Sequence, residues 1–399
     1  MDFELSEEHL SLRDTLRRFV DTEIRPVARE WEQEGRYPNE LVEGIRELGL
    51  FGLTVPAEYG GLDVDLVSMA LVFEELSRGW MGVAGVIGTH SLSCRMIARY
   101  GTEEQKARWL PDFATGERRT GLGLTEPGAG SDLQGITTRA VRNGDHYVVN
   151  GAKTWITNAR FADPLPVLVK TDTGTDPPHR GMSVLMIPAD APGYTVSRDL
   201  PKLGYKGTES CELVLEDVQV PVDHLLGGVE GRGMQQVLSA LETGRVNVAA
   251  RSVGIAQAAY DAALSYSLER EAFGQPISQF QAIQLKLADM ATELQAARLM
   301  TYWAASKLDR GERADLESGM GTGRAVTLRL GAAATAAGSF LAPKLADWLP
   351  NHPEVQLTMI EDGARSMRRR LENGECTVGV VASPLPEHLE SRFITRVYV

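Results

Sequence analysis

The chain has 399 residues, enough for two or three structural units sharing a substantial core, and its 43% hydrophobic and 24% charged residues argue against disorder along its whole length. A net charge of -13 excludes nucleic acid or an anionic membrane as the main partner, because both demand a basic surface. Cys94, Cys211 and Cys376 are too few and too scattered for a disulfide framework or a zinc site, and the acidic N-terminus has no apolar stretch of secretory or membrane-spanning type, so a reducing cytoplasm is the expected location.

In chain order, residues 1–118 read as helices. Ser6 caps a first helix with Leu12, Leu16, Phe19 and Val20 on one face, and Pro26 should interrupt or bend it. A second helix runs through Leu41, Ile45 and Leu48 to Gly49, with further helices around 71–76 and 91–100. Residues 119–228 change to period two. Asn143-Gly144 predicts a hairpin and Asn150-Gly151 a second turn, and strands follow at 167–169, 182–187 and 212–220. Helical period returns with Met234, Val237, Leu238 and Leu241, breaks at FGQPIS, and resumes with Leu287, Met290, Leu294 and Ala297, so residues 229–312 form two partners of an antiparallel bundle. Residues 321–399 alternate strand and helix with short connections, the β-α-β-α-β pattern of a parallel sheet. The fold class is therefore multidomain α+β.

Two stretches carry chemistry. LTEPGAGSD, 124–132, belongs to a loop with glycines at 121, 123, 128 and 130, whose N–H groups and Ser131 hydroxyl can approach an anionic or carbonyl-rich ligand closely. KTWITN, 153–158, offers Trp155 as a flat apolar wall and Thr157 as a hydroxyl from one strand. His90 is either a pocket residue or a satisfied core histidine, and the run Arg368–Arg370 reads as the solvated side of an amphipathic helix.

With VPAEYGG, YGTEEQKARWLP, KLGYKGTESCELVLEDVQVP and REAFGQPISQFQ in the same order, residues 1–315 resemble the acyl-CoA dehydrogenase family of flavoenzymes. The resemblance implies an α-helical N-domain, a central β-barrel and a C-terminal helical bundle, here truncated. It implies FAD, with Leu122, Leu124 and Thr125 at the pyrimidine side of the isoalloxazine, Trp155 and Ile156 beside the flavin, and Thr157 near N5. Ser131 would serve the pyrophosphate and the pantetheine region, while Arg270, Phe273 and Gln281 match positions that hold the adenosine half of a neighbouring subunit's FAD. Glu242 and Arg245 in LETGR are the implied contacts for an acyl-CoA thioester. Implied partners are an electron-transfer flavoprotein or similar acceptor and further copies of the chain, as a dimer or tetramer.

In this family a glutamate removes the substrate α-proton while the β-hydrogen leaves as hydride to the flavin. The C-terminal EGT-type segment that usually carries the glutamate is absent, and at the helix position used by a minority of members stands Gly244. Glu242 is about 200° round the helix from Gly244 and cannot substitute for that residue. Residues 321–399 instead resemble the opening β-α-β-α-β of the effector-binding domain of LysR-type regulators, without their DNA-binding portion. The expectation is a fusion joined near 312–322: an acyl-CoA dehydrogenase impaired by loss of its base or, alternatively, a non-catalytic protein binding flavin, a CoA ester or a small effector.

Overall fold

The computed structural model describes residues 5–314 and the backbone of three strands at 327–333, 356–362 and 378–380. The chain divides into two compact units, Met1–Thr322 and Gly323–Val399.

Helix α1 spans Glu7–Phe19 and starts with a capping box in which the Ser6 hydroxyl accepts from the His9 N–H. The interruption expected at Pro26 is there: one π turn, Val20–Ile24, breaks the α-helical repeat just before α2, Arg25–Glu34, whose first turn holds the proline. Helix α3 covers Asn39–Glu47. The two helices expected around 71–76 and 91–100 are the arms of one 35-residue helical stretch, α4, Leu66–Tyr100, which kinks where Trp80 takes extended backbone angles. Leucine, valine and alanine fall on every side of α4, and most of it is buried, so no single apolar face marks its limits in the sequence. Helix α5, Glu103–Thr115, completes this layer behind a second capping box on Thr102.

The central unit is a six-stranded sheet. Strand β1, Arg139–Asn143, pairs antiparallel with β2, His146–Thr157, through the two-residue turn Gly144-Asp145, confirming the first hairpin. The second expected turn does not exist. Asn150 and Gly151 lie inside β2, where the register against β6, Ser210–Pro221, shifts between Val149 and Gly151. Gly151 has φ 153°, and any Cβ there would run into Thr138; the glycine serves a bulge, which leaves the strand continuous. Strands β3, Leu165–Lys170, β4, Met182–Ile187, and β5, Tyr194–Asp199, complete the order β4-β3-β1-β2-β6-β5.

Helices α6, Gly233–Glu269, and α7, Gln281–Asp309, form the expected pair, joined by a connection with the two-residue strands β7, Glu271–Ala272, and β8, Gln275–Pro276. At Gly254 the α6 backbone meets the Glu74 carbonyl of α4 so closely that a side chain there would collide with it. Apolar side chains face outward on both helices: Ile255 and Tyr266 on α6, and Leu285, Met290 and Trp303 on α7, are all exposed. The far end of α7 is held firmly. Both Asp309 carboxylate oxygens accept from the Leu66 N–H at the start of α4, at 3.1 and 3.0 Å.

In the second unit, β9, Thr327–Ala333, lies between β10, Gln356–Asp362, and β11, Val378–Val380, and pairs in parallel with both. These are the three strands of the expected β-α-β-α-β pattern, in the order β10-β9-β11. The helices expected between them, with Arg368–Arg370, fall outside the described residues, as does Cys376.

Candidate active site

The loop at 121–126 docks onto the sheet by its backbone. The Gly123 N–H donates to the Pro166 carbonyl at 2.8 Å, the Leu168 N–H donates to the Gly123 carbonyl at 3.0 Å, and the Thr154 N–H donates to the Thr125 carbonyl at 2.8 Å. Glycine at 121 and 123 permits this, because a Cβ at either would press on Thr157 or Val167. Leu122 and Leu124 are buried and Thr125 is half-buried; beyond them Gly128, Gly130, Ser131 and Asp132 stand exposed.

Opposite the loop, β2 ends in a second irregularity. Its register against β6 shifts between Lys153 and Ile156, and Trp155 takes φ 60°. The consequence is local and specific. Ile156 is buried, Thr157 is half-buried, and Trp155 is turned out of the alternation with 55% of its surface exposed. An open indole beside a half-buried hydroxyl and a docked glycine loop is an apolar wall with polar edges, the shape a planar heteroaromatic ring requires. The residues named from the sequence at 122–125 and 155–157 are thus brought together.

Two residues that the sequence reading passed over hold them there. Lys153, wholly buried, donates to the Leu124 carbonyl at 3.1 Å and to Glu126 Oε1 at 2.9 Å. Glu126 also accepts from the Thr137 N–H and hydroxyl at 2.6 and 2.8 Å and from the Thr138 N–H at 3.0 Å. Burial works to raise this carboxyl, but Lys153 and the threonine donors outweigh it and hold it at about 2. Asn158, with φ 64°, turns its amide to donate to the Val86 carbonyl of α4 at 2.8 Å and to Thr89 Oγ1 at 3.3 Å, fixing the strand end to the helical layer. Period-two alternation places Lys153 inward on its strand, and a lysine on a buried face calls for a carboxylate; that was the available signal.

His90 is a core histidine. Its Nδ1 accepts from the Thr120 N–H at 3.1 Å, so its Nε2 donates to the carbonyls of Phe51 and Phe113 at 3.2 and 3.1 Å. Complete burial pushes it down to about 4, so it is neutral and braces the backbone leading into the glycine loop.

Glu242 is half-buried and lines a cleft of about 500 Å³ with His179 and the guanidinium groups of Arg99 and Arg232, a pair suited to phosphate groups. Arg245 is half-buried one turn further along α6. Gly244 faces α4, where an added Cβ would lie 3.1 Å from Leu92. Arg270, Phe273 and Gln281 are exposed on and beside the α6–α7 connection; Phe273, at 98%, touches only the edge of Phe280 in ring contact. None of the three joins the cluster around Leu124 and Trp155.

Another cleft of about 560 Å³, between α1, α4, α6 and α7, is a structural junction: Arg17 and Arg78 pair with Glu75, and Arg298 with Glu74, each at 2.8 Å. Among the described residues there is no group of side chains suited to a metal ion and no helix long and apolar enough to cross a membrane.

The class of this fold follows from comparison with known proteins. Models of the acyl-CoA dehydrogenase N-terminal, middle and C-terminal domains match residues 6–117, 121–218 and 231–337, and the LysR substrate binding domain matches 321–397. A probable acyl-CoA dehydrogenase, YngJ, of Bacillus subtilis (strain 168) is 44% identical over 308 residues, covering 76% of this chain and 80% of that protein. The (2S)-methylsuccinyl-CoA dehydrogenase of Cereibacter sphaeroides is 41% identical over 327 residues, 79% of this chain but 59% of the longer relative. The butyryl-CoA dehydrogenase structure from Megasphaera elsdenii superposes with a TM-score of 0.77 at 34% identity, covering 80% of this chain and 84% of that one. The chain belongs to the acyl-CoA dehydrogenase family of FAD-dependent oxidoreductases, and it carries a LysR substrate-binding segment at its C-terminal end.

Proposed function

We propose that this chain binds FAD against Trp155 and the Leu122–Thr125 edge and accepts an acyl-CoA thioester for α,β-dehydrogenation, at a rate limited by a missing proton acceptor. The observation that carries the reading is the exposed indole of Trp155 beside the docked loop, tied together by Lys153 and Glu126. When bound, FAD supplies the hydride acceptor. The chain's own residues do the rest. Leu122, Leu124 and Ile156 exclude water, Thr125 and Thr157 present polar edges, and Ser131 faces the phosphates from the open loop. Glu242 and Arg245 on α6 hold the CoA moiety, with the cleft beside Glu242 taking its phosphates.

Removal of the α-proton is where the chain falls short. The helix position that could carry a base is Gly244, and the sequence after Asp309 has no EGT-type segment. A positioned general base contributes about 10²–10⁴ in rate, so dehydrogenation is slowed by that order. Arg270, Phe273 and Gln281, exposed together, fit contact with a second subunit's cofactor, and the natural electron acceptor is an electron-transfer flavoprotein or its equivalent in a reducing cytoplasm.

The test is spectroscopic. Purified protein should be yellow with one flavin per chain, and anaerobic addition of acyl-CoA thioesters should perturb the flavin band without rapid bleaching. Protein that stays colourless after incubation with FAD would refute the site, and bleaching at ordinary dehydrogenase rates would refute the impairment.

A further inference from the structure

Beyond its kink at Trp80, α4 carries three polar residues on one face: Thr89 and His90 stand four and three residues before Ser93. Each makes a hydrogen bond to a segment of the candidate site. Ser91, between them, shows the ordinary alternative, because its hydroxyl donates back to the Ile87 carbonyl one turn earlier in the same helix. The Ser93 hydroxyl donates instead to the Gly121 carbonyl at 2.5 Å. His90 Nδ1 accepts from the Thr120 N–H at 3.1 Å, and Thr89 Oγ1 accepts from the Asn158 amide at 3.3 Å. One helix face therefore holds both the entry of the glycine loop and the end of β2.

The two contacts with the loop fall on consecutive residues, one on a donor and one on an acceptor, so they fix both the place and the direction of the backbone entering Leu122. His90, Ser93 and Thr120 are fully buried, and no water competes for these bonds. From the other side the Thr120 hydroxyl donates to the Pro164 carbonyl at 2.9 Å. Only one tautomer of His90 fits. The Phe51 and Phe113 carbonyls can only accept, so Nε2 carries the proton and Nδ1 is the acceptor that Thr120 needs.

We propose that His90 and Ser93 are positioning residues for the flavin, acting through Thr120 and Gly121 to hold the Leu122–Thr125 edge in place before the cofactor arrives. This rests on the placement of FAD given above and adds to it the helix face that preforms the site. A loop entry that is in place for only part of the time lowers the apparent affinity by that fraction.

Asparagine and glutamine separate the two ends of the His90 ring. The amide of H90N stands where Nδ1 stands and can accept from Thr120, whereas the amide of H90Q reaches the place of Nε2, donates to the phenylalanine carbonyls and leaves the Thr120 N–H without this acceptor. Both variants lose part of a buried network, so both should unfold at lower denaturant than wild type. Fluorescence titration of the full-length, flavin-stripped proteins with FAD then reads the positioning. H90N should stay close to wild type, and H90Q and S93A should each bind about tenfold more weakly. Equal affinities in H90N and H90Q, or affinities that simply follow the denaturant midpoints, overturn the assignment. If H90Q does not fold, S93A decides: weaker binding than H90N at an equal or higher midpoint supports it, and unchanged affinity overturns it. Wild-type protein that fails to bind FAD refutes the placement of the flavin itself, and this inference with it.

Discussion

The Lys153 ammonium lies 2.9 Å from Glu126 Oε1, with side-chain exposures of 0% and 3%, so the two sequence segments that make up the candidate site are joined by one buried ion pair. Burial pushes the lysine down to about 8, partly offset by the carboxylate, and the pair therefore depends on both members being present.

Removing one partner should cost about 3–5 kcal/mol, because the other is left charged and buried. K153M is expected to lower the urea midpoint and the flavin content together, since the Leu124 carbonyl and Glu126 lose the same donor. K153M combined with E126Q should recover part of the stability. Equal stability of single and double variants would show that the pair is not coupled.

Trp155 allows stability and binding to be separated. Its side chain is more than half exposed, so W155A should change the unfolding free energy by less than about 0.5 kcal/mol. FAD affinity should fall by about tenfold, the worth of one aromatic stacking contact. Fluorescence titration of apoprotein with FAD measures this, and unchanged affinity would remove the indole from the site.

G244E puts a carboxylate on the helix face that meets Leu92, where only the flexible end of that leucine must yield. If α-proton removal is what the chain lacks, anaerobic flavin bleaching by a bound thioester should accelerate by about 10²-fold or more. No acceleration in a folded, flavin-loaded G244E protein would place the defect elsewhere.

Two buried groups should pull stability in opposite directions with pH. His90 is lowered to about 4 in the fold, below its value of 6.5 in the unfolded chain, so as pH falls through 6.5 the unfolded chain gains a proton that the fold refuses and stability is lost. Glu209 is raised by burial to about 7 from 4.5, and neither carboxylate oxygen has a partner; its contribution is present below 4.5 and disappears as pH rises through 7. Between pH 7 and 5 each effect amounts to about 2 kcal/mol, so they nearly cancel. Denaturant midpoints should therefore show E209Q losing stability on acidification and H90N gaining it. The same sign in both would contradict the burial argument.

Much of the fold was legible because periodicity is local. The β1–β2 turn, the limits of β4, and the two long bundle helices all follow from patterns within a dozen residues. The errors arose where a local signal was overruled at a distance. Asn150-Gly151 looks like a turn, but Asn150 exchanges hydrogen bonds with Asp217 on β6, both at 3.0 Å, and this holds the pair within a strand. Helix α4 is buried on all sides, which erases the amphipathic stripe that would have shown its length. At the candidate site, long motifs pointed to residues 122–125 and 155–157, whereas Glu126, Lys153 and Asn158 serve by pairing across gaps of 27 and 72 residues, for which the sequence shows only one member at a time.

Asp309 bears on how such a chimaera could persist. By gripping the first N–H of α4, the last residue of α7 closes the helical layer 12 residues before the LysR-type match begins at residue 321. A join placed after this clasp keeps the end of α7 tied to the start of α4, whereas one placed a single turn earlier would have removed that tie and left the start of α4 to the Asp65 cap alone.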